Sequence, residues 1–85
     1  MHLTLKKKWF DLIRSGEKRI EYREVKPYWT KRLIHENGIR KDWDEIHFRN
    51  GYGKDKPLIK AEWWGMTEID GFYNILIGDL INEKI

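Results

Sequence analysis

Between Gly16 and Glu24 the chain reads G-E-K-R-I-E-Y-R-E, and three of its side chains have types that work together chemically: Lys18, Glu21 and Arg23. Arg23 offers a planar fork for a phosphate or the carbonyl-bearing edge of a ring. Glu21 can accept from an exocyclic amine, or act as a general base if its environment tunes it. Lys18 can hold an anion as a point charge, or serve as nucleophile or base when desolvated. The plain alternative is a Glu–Arg pair on an exposed strand face, worth ~0–1 kcal/mol. Spacing alone leaves both open.

These residues need a scaffold, and the sequence predicts one. Residues 2–5 have strand composition, and Thr4 is placed to cap a helix over 5–15 whose apolar positions are Leu5, Trp9, Leu12 and Ile13. Gly16 suits the left-handed position that ends a helix. Lys18 then lies in the turn entering a strand over 18–25. Alternation puts Ile20 and Tyr22 on one face, packing inward, and Glu21 and Arg23 on the other, facing a cleft. Pro27 opens a second helix carrying Trp29 and Leu33, with Asn37-Gly38 as its stop.

Three antiparallel strands follow. Ile46 and Phe48 oppose His47 and Arg49 across the first, and residues 50–57 form a turn-rich loop. The next strand carries Ile59, Ala61 and Trp63 on one face and has Gly65 as a bulge or close approach. Asp70-Gly71 is a turn, and the last strand is interrupted at Gly78. The expected order is β-α-β-α-β-β-β. That is an α+β domain whose sheet curls into a partly open barrel, with both helices in the first half.

The 85 residues make one domain, 1–85, with a thin core to which 5 Trp, 4 Tyr and 3 Phe contribute. A mean hydropathy of −0.79 is low, but the aromatic content and patterned Ile/Leu positions argue for a folded chain. There is no cysteine, which excludes disulfides and thiolate metal sites. No apolar run is long enough to cross a bilayer, and the basic N-terminal stretch lacks the apolar core of a signal peptide, so a cytoplasmic protein away from membranes is expected. His2, His35 and His47 show no ligand spacing, so neither a metal nor another cofactor is expected.

Charge is uneven. Residues 1–35 hold 10 Lys/Arg against 4 Asp/Glu, and residues 36–85 hold 7 against 10. A basic half fits an anionic partner such as nucleic acid or a nucleotide, and equally a solubilising surface. Lys6-Lys7-Lys8 at a helix start opposes the helix dipole; it is read as a phosphate contact or a solvated face. Tyr28, Trp29, Tyr52, Trp63 and Trp64 are candidates for base stacking, although a small core competes for tryptophan, and Trp9 and Trp63 are assigned to it. Arg49 and Asn50 precede the glycine loop. Asn50 has the donor–acceptor pair that reads a base edge, and Asn50-Gly51 is equally a simple turn.

The run Gly16-Glu17-Lys18-Arg19-Ile20-Glu21-Tyr22-Arg23 fits G-x-K-x-x-E-x-R. Behind a helix ending W-F-D-L-I-R-S-G and ahead of F-R-N-G-Y, it resembles the signature of the ASCH domain family, of the small stand-alone type found in bacteria and their phages. The resemblance covers nearly the whole chain. It implies a PUA-like β-barrel that binds RNA or a nucleoside or nucleotide. Gly16 falls on the turn glycine, and Lys18, Glu21 and Arg23 fall on the motif positions. Tyr28, Trp29, Arg49, Asn50 and Tyr52 are expected to complete the ligand site. Some small relatives resemble amidohydrolases acting on N4-acetylcytidine, and others resemble ribonucleases. The amidohydrolase branch carries a threonine where this chain has Glu21, and a distal carboxylate for which Glu62 and Glu68 are the candidates. A phage accessory protein that binds a host protein without catalysis is a third expectation.

Overall fold

A computed structural model describes residues 1–51 and 55–81 of the chain. The elements are β1 (His2–Leu5), α1 (Lys7–Arg14), β2 (Ile20–Glu24), α2 (Pro27–Leu33), β3 (Glu45–Asn50), β4 (Leu58–Ile69) and β5 (Phe72–Leu80), in the expected order. One five-stranded sheet runs β1-β3-β4-β5-β2. Only β1 and β3 are parallel; the other neighbours are antiparallel. The sheet curls into a half-barrel with two helices, and β1 and β2 are its two edges. The barrel is therefore open along a seam between them.

The core is the inner row of each strand: Leu3 and Leu5, Ile46 and Phe48, Ile59, Ala61 and Trp63, then Tyr73, Ile75 and Ile77. Phe10 and Ile13 of α1 and Leu33 of α2 complete it. β4 shows why its pattern breaks. Trp63 pairs with Ile77 but Met66 pairs with Ile75, so β4 advances one residue more than β5. Gly65, at φ 110°, takes up the extra residue as a bulge. The inward phase flips there, from Ile59, Ala61 and Trp63 to Met66. Asp70 (φ 53°) and Gly71 (φ 81°) form the left-handed pair of a tight hairpin. β5 is continuous rather than interrupted at Gly78; the β4–β5 register shifts between Ala61 and Trp63, opposite that stretch. Gly78 instead gives room: a Cβ there would sit 2.2 Å from Trp64 Nε1, so the indole lies directly on it.

Three local expectations are corrected. Helix α1 starts after Lys6, with no side-chain cap, and Thr4 stays inside β1. Leu5 is thus a strand residue, and the shorter helix buries Phe10 and Ile13 rather than a stripe through Trp9. Trp9 is 41% exposed and is not core. Helix α2 ends at Leu33, before Asn37-Gly38. Ile34 bridges Arg40, and His35 N–H donates to Ile39 C=O at 2.7 Å, so Gly38 (φ 86°) serves a tight turn instead.

Candidate functional site

The sequence folds locally to bring Lys18 to the open seam. Gly16 (φ 86°) ends α1, and Lys18 N–H donates back to Leu12 C=O at 3.0 Å. The turn delivers the chain into β2, which pairs on one side only, with β5. Ile77 N–H donates to Arg19 C=O, and Val25 N–H donates to Gly71 C=O, each at 2.9 Å. Odd residues of β2 therefore bond to β5, and the backbone groups of Tyr22 point to the free edge.

The faces of β2 are the reverse of the expectation. Glu21 and Arg23 lie on the inner face, Glu21 opposite Ile75 and Arg23 opposite Tyr73. Tyr22 does not pack inward; it is 49% exposed on the outer face, and Ile20 is only half-buried. Period-2 alternation names two faces but not which one is inside. A last strand beside an open seam has room for two long polar side chains where an inner strand would need apolar ones.

Glu21 is the one buried charged residue among the described residues. Its Oε1 is 3.3 Å from Arg23 Nη1 and 3.9 Å from Lys18 Nζ. It also accepts the Tyr22 N–H at 2.9 Å, while Arg23 Nη1 donates to Tyr22 C=O at 3.0 Å. Glu21 and Arg23 thus satisfy both edge-facing groups of Tyr22, and so protect an open strand edge. Glu21 Oε2 is buried and has no hydrogen-bond partner. Two cations flank one carboxylate, leaving the cluster net positive.

Aromatic rings frame the cluster. Lys18 Nζ lies 5.2 Å from the ring centroids of both Trp9 and Tyr22. The Arg23 guanidinium is 5.0 Å from Trp29, which meets Tyr28 edge-on at 4.8 Å, and Arg32 sits 3.6 Å over Tyr28. A surface concavity of about 480 Å³ opens beside Lys18, walled by Trp9, Leu12, Glu17, Arg19, Ile20 and Tyr22. Glu21 and Arg23 are not part of its wall.

The structure therefore joins Lys18, Glu21, Arg23, Trp29 and Tyr28, with Gly16 as the turn that sets Lys18. It does not join the rest. Arg49 and Asn50 end β3, separated from β2 by β4 and β5 in the sheet order. Arg49 donates to Lys56 C=O and Asn50 N–H to Pro57 C=O, each at 3.0 Å, which ties the end of β3 to the residues entering β4. Tyr52 lies outside the described residues. Glu62 accepts from Trp64 Nε1 and from Asp79 N–H, each at 3.3 Å, and Glu68 is exposed; both lie on β4, with β5 between them and β2. Trp63 is buried in the core, as expected.

Sequence reasoning missed Trp9 and Tyr22 as walls of the concavity. The available signal was that Trp9 adjoins Lys8, whose Nζ lies 4.9 Å over its ring. Among the described residues no three His, Asp or Glu side chains gather into a metal site, and no helix is long and apolar enough to cross a membrane. No family model, curated protein or solved structure matches the chain.

Proposed function

We propose that the chain is an ASCH-like module that binds RNA, or a nucleoside or nucleotide, at the barrel seam beside Lys18, Glu21 and Arg23. The observation that carries this reading is the composition of the seam: a buried carboxylate between two cations, each cation facing an aromatic ring. Cations neutralise phosphate and rings stack bases, while the buried Glu21 carboxylate holds Lys18 and Arg23 in place. The basic stretch over residues 1–35 adds the long-range attraction such a ligand requires.

The test is titration with cytidine 5′-monophosphate and with an RNA oligomer at low salt. Lys18→Ala and Arg23→Ala are expected to weaken both by about tenfold or more, the range of a charge-assisted contact. If neither probe binds the unaltered protein at low salt, the reading is wrong.

A second reading, hydrolysis of the bound ligand, is favoured by Glu21 Oε2, a buried oxygen without a partner. For that reading the bound ligand would have to uncover this oxygen, which would then take a proton from water, with Arg23 holding developing negative charge. Turnover of N4-acetylcytidine or of RNA should then vanish in Glu21→Gln while ligand binding persists. Equal turnover in that variant would remove the catalytic role.

A further inference from the structure

Cation–ring contacts continue past the seam. From α1, Lys8 stacks on Trp9 at 4.9 Å, and Trp9 faces Lys18 at 5.2 Å. Lys18 in turn faces Tyr22, also at 5.2 Å. Arg19, next in the chain and in the wall of the same concavity, lies 5.3 Å over Trp64 on β4. These residues come from α1, the turn after it, β2 and β4. Nothing in local structure requires their rings to alternate with cations along one surface.

The rings are available. Trp9, Tyr22 and Trp64 are 41%, 49% and 55% exposed, an unusual share of the large aromatics for a chain with so thin a core. Trp64 is also held flat. Its ring rests on Gly78, where any side chain would collide, and its Nε1 donates to Glu62. A fixed, exposed indole plane is a stacking platform rather than a folding requirement. Arg19 is available too: its pair with Asp79, at 3.6 Å and exposed, is of the kind worth ~0–1 kcal/mol. Glu62 and Asp79 border Trp64 on β4 and β5. Glu17 stands in the concavity wall beside Lys18 and Arg19, where the two cations outnumber it. A phosphate backbone would run on the side of Lys8, Lys18 and Arg19, with bases turned toward the rings.

We infer that the Lys8–Trp9–Lys18–Tyr22–Arg19–Trp64 strip is a track for single-stranded nucleic acid, so that the ligand is a strand rather than an isolated nucleotide. This rests on the nucleotide-binding reading of the seam and extends it. A duplex does not fit, because its bases present no free faces to three separate rings. A protein partner would be served by apolar surface without alternating cations.

The test compares one nucleotide with a strand. A labelled oligouridine of ~10 nucleotides, within the site size of comparable single-strand binders, is titrated by fluorescence anisotropy alongside uridine 5′-monophosphate. Trp64→Ala is expected to weaken the oligomer about five- to hundredfold, the effect of losing one stacked base, and to leave the mononucleotide unchanged. Trp64→Phe, which keeps a ring over Gly78, should retain most of the affinity. That variant separates stacking from a folding defect, with thermal melting as the control. The paired change Lys8→Gln with Arg19→Gln should lower the slope of log affinity against log salt by about 1.4, two single-strand phosphate contacts. Oligomer binding that ignores all these changes while Lys18→Ala still weakens the mononucleotide would overturn the track and leave the seam reading standing. Loss of both ligands in the unaltered protein would overturn both, and capture of a protein instead would count against the track.

Discussion

Glu21 has two duties that a single substitution confuses. It accepts the edge-facing Tyr22 N–H at 2.9 Å, and it balances Lys18 and Arg23 within a region where its own side chain is 8% exposed. Removing a buried acceptor leaves a donor and two cations without their partner. Glu21→Ala is therefore expected to cost about 2–4 kcal/mol in urea unfolding, from an unpaired N–H and partly buried like charges. Glu21→Gln keeps an oxygen for Tyr22 N–H and should cost roughly half as much or less. Equal costs would mean that edge protection is not what Glu21 supplies. The residue types of this cluster were legible in the sequence, and so was the shared face of Glu21 and Arg23. The direction of that face was not, because alternation is symmetric and only the neighbours of β2 break the symmetry.

At the scale of elements, β1 is the strand most sensitive to its surroundings. It pairs only with β3, and its His2 ring meets His47 edge-on at 4.7 Å. His47 Nε2 bonds Glu45 Oε1 at 2.9 Å. Burial, then the nearby His47, the N-terminus and Arg49, hold His2 below its usual 6.5. Burial likewise lowers the Met1 amine from 8.0, partly offset by Glu45. The His47 hydrogen bond lowers the Glu45 carboxyl from 4.5. In each case the unfolded chain takes up its proton at a higher pH than the folded one. Stability from these groups is thus complete above pH 8.0 and falls as pH drops through the folded values, with the His2 part lost below 6.5. Amides of β1 should exchange faster at pH 5.5 than at 7.5 after correction for intrinsic rates, and His2→Gln should reduce that difference. An unchanged pH response in His2→Gln would assign it elsewhere. Element identity was largely readable: β4 was expected over the residues it occupies, and Pro27 and Gly16 mark the boundaries predicted for them. The ends of α1 and α2 were not, because Leu5 and Ile34 are claimed by strand pairing that propensity cannot see.

At the scale of the molecule, one curled sheet provides most of the burial, completed by Phe10, Ile13 and Leu33 from the helices. Ile75 lies at its centre, fully buried on β5 between β4 and β2, and opposite Glu21. A domain of this size has ~4–13 kcal/mol of total stability. Ile75→Ala is expected to cost about 2–5 kcal/mol and lower Tm by ~10 °C or more, with no compensating layer to absorb the cavity. A shift of only a degree or two would show that the half-barrel relaxes around the site. The same architecture explains the seam. A sheet that does not close leaves two edges, and a charged β2 edge backed by its own side chains resists pairing with other strands.

The sequence by itself determined the order of elements, the α+β class, the apolar rows of β3 and of β4 as far as Trp63, a bulge or close approach at Gly65, and the grouping of Lys18, Glu21 and Arg23. These depend on local periodicity, on glycine and proline geometry, and on short separations along the chain. Only the tertiary structure decided that Glu21 and Arg23 face inward, that Trp9 and Tyr22 face out beside Lys18, that Arg19 reaches Trp64, and that Arg49 and Asn50 stand apart with β3. Those outcomes depend on which strand is at the edge and where the sheet fails to close. Strand order is set by long-range pairing, and no local pattern in the chain encodes it.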